Sequence, residues 1–217
     1  MRRVSVLCTM ICLLAPLCAT PARAAGNGAV IVFRKVFKSS SPEFMEIRIP
    51  ESGPGSCEMR ALDEDPNPQA IEVSPGLRDK IFALAGELND FRGISLDINR
   101  RIANLGEKTF RWEKGGEANE VKFNYTINSK AGQLLQIFEA IAKEQEDLDT
   151  LERRMKYDRL GVNEALVQLE QDVKRQAVAQ PERFLPPLEQ IAGDSRFLDM
   201  ARQRARSLAD YIRSGKK

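Results

Sequence analysis

Asp63-Glu64-Asp65-Pro66-Asn67 sets oxygen ligands at alternate positions, as the opening of a calcium loop would. The rest of such a loop is missing: Pro68 stands where the sharp turn needs glycine, and Ser74 where a bidentate Glu belongs. A solvated loop between strands uses the same Asp, Asn and Pro residues without an ion. Two glycine-containing segments also fall short. Gly26-Asn27-Gly28 is half of a dinucleotide fingerprint, but it lacks the third glycine and precedes a strand pattern where it should follow one. Gly106-Glu107-Lys108-Thr109 imitates the end of a phosphate loop, yet Glu107 interrupts Gly-Lys and the upstream glycine is missing. Ser-x-x-Lys occurs only at 214–217, in a terminal tail that cannot hold a nucleophile in place. Neither a cofactor nor a metal site is expected.

The 217 residues include no histidine. That excludes Ser-His-Asp and Cys-His triads, imidazole acid-base catalysis and every zinc site with a His ligand. Carboxylate chemistry needs none. A glycosidase requires two carboxyls roughly 5 to 9 Å apart, one with a raised pKa, and the chain has 31 Asp and Glu residues. Their linear order nominates no pair. Asp97, between Leu96 and Ile98, is the acid expected to be partly buried, though a capping Asp has the same signature. Cys57 lies in Ser56-Cys57-Glu58-Met59-Arg60, whose alternation puts the thiol on the apolar side of a strand. A buried, inert thiol is expected, since no neighbouring motif supports a nucleophile or an intermolecular disulfide. Asn124-Tyr125-Thr126 is a glycosylation sequon, relevant only in a eukaryotic secretory host and hindered by strand burial.

The start of the chain indicates a destination. Arg2 and Arg3 precede an apolar run from Val4 to Leu17, and Ala22-Arg23-Ala24 ends it as a small-x-small cleavage signature. Residues 1–24 therefore read as a Sec signal peptide, too short for a membrane span. The rest of a twin-arginine motif is missing, and Leu17 before Cys18 argues against lipid attachment. A periplasmic or extracellular location follows. Cleavage removes Arg2, Arg3 and Arg23 from the 33 basic residues, leaving 30 against 31 acidic ones. It also removes Cys8, Cys12 and Cys18, so Cys57 remains alone and packing must stabilise the fold without a disulfide. With 42% hydrophobic and 29% charged residues, the composition is globular and has no single-sign excess.

The elements that must position these groups come in two styles. Residues 29–37, 44–49, 57–62 and 70–73 read as short strands, with a Pro-Gly turn over 50–55. Ser74-Pro75 starts a helix expected to run to Phe91, with Leu77, Ile81, Leu84, Ala85 and Leu88 on one stripe. A hairpin turns at Gly115-Gly116. Pairing Trp112 with Val121 and Phe110 with Phe123 would place Phe110, Trp112, Phe123 and Tyr125 on one core face. From 131 to 157 the heptad of Leu134, Ile141, Leu148 and Met155 predicts one long helix, with Ile137, Phe138 and Leu151 filling its stripe. Gly161 reads as its stop and Asn163 as the cap of the next helix. Pro181, Pro186 and Pro187 punctuate a connection, and Asp194 is expected to cap a last helix carrying Leu198, Ala201, Ala205, Leu208 and Ile212.

Residues 143–172 hold 9 acidic and 5 basic side chains, and the segment from Lys174 onward holds 10 basic and 5 acidic. Antiparallel helices pairing these runs explain both, and no nucleic-acid partner is expected because aromatics are not interleaved with the cations.

Asn104-Leu105-Gly106-Glu107-Lys108-Thr109-Phe110-Arg111-Trp112 and Tyr157-Asp158-Arg159-Leu160-Gly161-Val162 resemble segments of small exported bacterial proteins of no assigned function. The resemblance covers most of the chain after residue 24. It implies a strand meander, helix, hairpin, second helix and helical tail, and a bacterial origin; it implies no catalytic or binding residues.

The expected fold is α+β: an antiparallel sheet of meander plus hairpin covered by helices, with a C-terminal all-helical subdomain. The boundaries are 1–24 for the signal peptide, 25–142 for the α+β domain and 143–217 for the helical subdomain. The expected function is an exported, non-catalytic binding or scaffold module of the bacterial envelope, partnered by another envelope protein, with no membrane span after cleavage. The alternative is a carboxylate-dependent hydrolase using an Asp/Glu pair.

Overall fold

The computed structural model describes residues 28–38, 40–98 and 103–215. Residues 1–24, expected to be a signal peptide, lie outside the described residues, as do Gly26-Asn27 and the two terminal lysines. Among the described residues six strands form one antiparallel sheet in the order β4-β3-β2-β1-β5-β6: β1 Val30–Val36, β2 Phe44–Pro50, β3 Gly55–Arg60, β4 Gln69–Ile71, β5 Glu107–Lys114 and β6 Glu117–Phe123. The described residues also form five α-helices: α1 Pro75–Glu87, α2 Ser129–Tyr157, α3 Val162–Lys174, α4 Leu185–Gly193 and α5 Asp199–Arg213. The fold class is α+β. Among the described residues no helix is long and apolar enough to cross a membrane.

Alternation along the strands gives the sheet two unlike faces. Ile31, Phe33, Ile47, Ile49, Cys57, Phe110, Val121 and Phe123 point inward and pack with α1 and the first half of α2. Phe33 stacks on Phe138 of α2 at 5.2 Å between ring centroids, and Phe110 meets Phe123 at 5.1 Å. The other face carries ion pairs from strand to strand. Arg34 meets Glu46 at 2.6 Å, Arg48 pairs with Glu46 and Glu113, and Arg111 links Glu113 to Glu120. Val32 lies between Arg48 and Arg111 in register and is buried.

The Gly115-Gly116 turn is tighter than the sequence suggests. Both glycines have positive φ (58° and 91°), so two residues close the hairpin and Lys114 pairs with Glu117. Phe110 therefore opposes Val121, and Trp112 opposes Asn119. The expected register is wrong by two residues, which leaves the inward set on its face. Tyr125 and Ile127 lie beyond β6 and are exposed, so they are not part of the sheet core.

The helix expected to reach Phe91 stops at Glu87. Asn89, Asp90 and Phe91 all have positive φ, and this left-handed turn carries Phe91 into the core against Phe110 at 5.5 Å. Asn163 does not cap α3, whose N-cap is Gly161; Asp158 accepts the Gly161 N–H instead. Asp194 does not cap α5, which begins at Asp199; its carboxylate binds Arg196. Leu198 is exposed rather than part of the α5 stripe. The proline-rich connection holds a helix of its own. Pro186 and Pro187 sit in the first turn of α4, where the missing N–H groups have no intrahelical acceptor to lose.

Helix α2 is 29 residues long, about 43 Å at 1.5 Å per residue. Asn128 caps it by accepting the N–H groups of Lys130 and Ala131. Its N-terminal half, through Ala142, is buried against the sheet. Leu148 and Leu151 pack instead with Val162, Leu166, Leu169, Phe184, Leu188, Ala205 and Leu208. One helix thus contributes to two hydrophobic clusters, and Glu144 lies between them.

Candidate functional site

The Glu144 side chain has no accessible surface. It accepts the Gln180 backbone N–H at 2.5 Å, the Arg183 guanidinium at 2.7 Å and the Gln180 amide at 3.4 Å. Gln180 extends the network to the sheet half: its amide nitrogen donates to the Glu72 carbonyl, and its Oε1 accepts the Ser74 N–H at 2.6 Å. Local conformation puts Gln180 there. Gln176 takes positive φ after α3, the Gln176 and Ala177 N–H groups bond back to the Val173 and Asp172 carbonyls, and Pro181 then opens a short 3-10 turn bearing Arg183. Burial pushes the Glu144 carboxyl above its ordinary range, against the opposing effect of Arg183 and the Gln180 donors.

Gln180 and Arg183 also line a cleft of about 1240 Å³, with Glu144 behind them. One wall is Gly53, Pro54, Val73, Pro75 and Arg78; the other is Leu148, Glu152, Pro186 and Pro187. Arg78 is held in place by donating to the Pro50, Gly53 and Val73 carbonyls. The cleft therefore has proline, valine and leucine in its walls, with Arg78 and Arg183 and the glutamates Glu72, Glu152 and Glu182 set among them. No protein-family model matches the chain, and no curated protein matches it.

Asp147 is the other acid whose carboxyl is raised by burial, with Asp172 and Glu146 adding repulsion and Lys143 opposing. Lys143 donates to it at 2.6 Å and reaches Asp172 of α3 at 3.3 Å. Asp147 Oδ2 is buried without a partner. Glu144 and Asp147 are three positions apart on α2, but each is bonded to its own cation, and neither lines the cleft.

Asp97 is exposed rather than partly buried; its Oδ1 accepts N–H groups from Ile98, Asn124 and Tyr125, which makes it a loop-capping acid. Cys57 is buried, and burial lifts its thiol to about 12, aided by the charge of Asp149. Asp63, Glu64 and Asp65 lie exposed between β3 and β4. Among the described residues no group of three or more acids and cysteines is arranged to hold a metal ion. Lys108 donates to the Leu105, Gly106 and Asn124 carbonyls, so it ties the start of β5 to the end of β6.

No motif in the sequence marks Glu144, Gln180 or Arg183. One signal was available. Ile137, Glu144 and Leu151 are seven apart, so a carboxylate occupies a heptad position that otherwise holds aliphatic side chains. Gln180 and Arg183 carry no such mark, because their partner is 36 or more residues away.

Proposed function

We propose that this chain is an exported, non-catalytic binding or scaffold module of the bacterial envelope, and that the cleft beside Gln180 and Arg183 receives an extended segment of another envelope protein. One observation supports this above the others. Glu144, the acid most fully withdrawn from water, uses its oxygens on Gln180 and Arg183 and is sealed behind them. A general acid must reach the leaving group of its substrate. The cleft wall offers proline and aliphatic surface with a few fixed charges, which suits recognition of a chain segment. The export reading rests on Arg2, Arg3, the apolar run and Ala22-Arg23-Ala24.

A photoreactive amino acid at Glu152, on the cleft wall, should capture a discrete envelope protein; the same residue at Ser207, exposed on α5, should not. Equal capture at both positions counts against the cleft. Turnover of a glycoside or ester that disappears in Glu144→Gln or Asp147→Asn overturns the reading in favour of the carboxylate hydrolase.

A further inference from the structure

The far end of the helical region carries a surface distinct from the cleft. Helices α2 and α3 are antiparallel, as the pairs Lys143–Asp172 and Arg154–Glu164 require. Helix α4 follows α2, with Arg183 at Glu144 and Pro187 and Gln190 beside Met155 and Lys156. Helix α5 returns antiparallel to α4, with Arg206 on the Ala192 carbonyl and Arg213 on Glu189. The α2–α3 turn and the α4–α5 turn therefore share one end. Asp194 lies close enough to Arg159 to feel its charge, although the Arg196 hydrogen bonds do most to hold that carboxyl at about 2.

Eight large apolar side chains stand exposed among the described residues, and four of them belong to this end: Tyr157 (74%), Leu160 (75%), Leu198 (42%) and Met200 (58%). None of the four lines the cleft. Four acids here are engaged: Asp158 and Glu164 share Arg154, Asp194 pairs with Arg196, and Asp199 with Arg202. Arg153, Lys156 and Arg159 are exposed and make no ion pair among the described residues, which leaves three cations against one unpaired acid, Glu152, which lines both the cleft and the hollow beside Lys156. Lys156 Nζ sits 4.9 Å from the centre of the Tyr157 ring.

We propose that this end of the helical region is a docking tip for an anionic lipid surface. Tyrosine and long aliphatic side chains interleaved with unpaired cations match the boundary between acyl chains and headgroups: the apolar ends enter and the cations stay with the phosphates. Two short turns presenting protruding side chains fit a flat, deformable surface, whereas a peptide or nucleotide partner calls for a groove. Each cation near an anionic surface contributes roughly a fivefold gain in partition.

Co-sedimentation with phosphatidylglycerol–phosphatidylcholine vesicles, against phosphatidylcholine alone, tests this on the purified chain. Every variant keeps the same N-terminus, so differences between variants report on the tip. The wild type should pellet with the anionic vesicles only. Arg153→Gln with Lys156→Gln and Arg159→Gln should weaken partition about a hundredfold, following the same per-cation gain. Tyr157→Ser with Leu160→Ser should weaken it about tenfold or more. These positions are exposed, so unchanged unfolding midpoints will show that both variants fold. Equal pelleting with neutral vesicles overturns the proposal, as does full retention by either variant. A concentration-dependent dimer lost in Leu160→Ser would assign the tip to a second copy, and binding to a single-stranded oligonucleotide but to neither vesicle would assign it to nucleic acid; either result also overturns the proposal.

Discussion

Arg183 Nη1 donates to Glu144 Oε1 at 2.7 Å, and this contact fastens the turn before α4 to the middle of α2 where its two buried faces meet. The carboxylate is wholly buried while the guanidinium keeps about a quarter of its surface, so the two partners are not equivalent. Removing the cation strands a charge; removing the charge leaves an arginine that can still reach water.

That asymmetry predicts a stability order. Arg183→Met should cost about 3 kcal/mol, the scale for leaving a buried charge without its partner. Glu144→Gln keeps an oxygen for the Gln180 N–H and should cost less than half as much. Urea midpoints at neutral pH will compare them. Equal losses, or a more harmful Glu144→Gln, would mean that the carboxylate is not the costly group.

The same burial gives a pH dependence. Glu144 has an ordinary value near 4.5 and is raised in the folded chain. Above that ordinary value, and up to the raised one, the folded state holds a proton that the unfolded state has released. Stability from this group is therefore complete below about 4.5 and falls as pH rises through the folded value; Asp147, raised from 3.8, acts in the same direction. Glu170 is lowered, chiefly by the Lys174 hydrogen bond, so its contribution runs the other way and is lost as pH falls. Comparing wild type with Glu144→Gln isolates the first effect. The wild-type midpoint should fall relative to the variant as pH rises from about 4 towards 8. A difference that stays constant, or grows in favour of the wild type, would contradict the assignment.

Regular periodicity made much of the fold legible. The alternation of Met45, Ile47 and Ile49 marks β2, and the heptad from Leu134 to Met155 marks α2, because each pattern is local and repeats several times. Errors gathered where geometry depends on one or two residues. The hairpin register turned on whether Gly115-Gly116 closed in two residues or four, and α4 was concealed by prolines that a first turn tolerates. The site was harder to see. Glu144 interrupts an apolar repeat and so leaves a trace, but nothing local links it to Gln180, which also reaches back to Glu72 and Ser74. Only the tertiary fold brings those residues together.

Cys57 offers a direct check on the sheet core. Its side chain is buried between β2 and β4, and its thiol is lifted to about 12, so almost no thiolate exists near neutral pH. Iodoacetamide should leave the folded chain unlabelled at Cys57 over hours, and should add one adduct there once urea unfolds it. Rapid labelling under native conditions, read by intact mass, would show that β3 opens or that the thiol faces solvent.

The docking of α5 can be tested by two neighbouring substitutions. Leu208 is 2% exposed and packs in the cluster that includes Leu166, Leu169, Leu188 and Ile191. Arg206 lies on the outer side, where it donates to the Ala192 carbonyl near the end of α4 at 2.8 Å. Leu208→Asp puts an unpaired charge among aliphatic side chains and should cost on the order of 3 to 5 kcal/mol. Arg206→Asp removes one exposed hydrogen bond and sets a negative charge near carbonyls, which should cost about 1 kcal/mol or less. Both changes add the same residue two positions apart on one helix, and Arg206→Asp alters the net charge by two units against one for Leu208→Asp, so neither helix propensity nor net charge accounts for a larger loss at Leu208; burial does. Thermal and urea unfolding of the pair should therefore give clearly different midpoints. Matching midpoints would mean that α5 is not packed against α3 and α4 through its Ala201–Ile212 stripe.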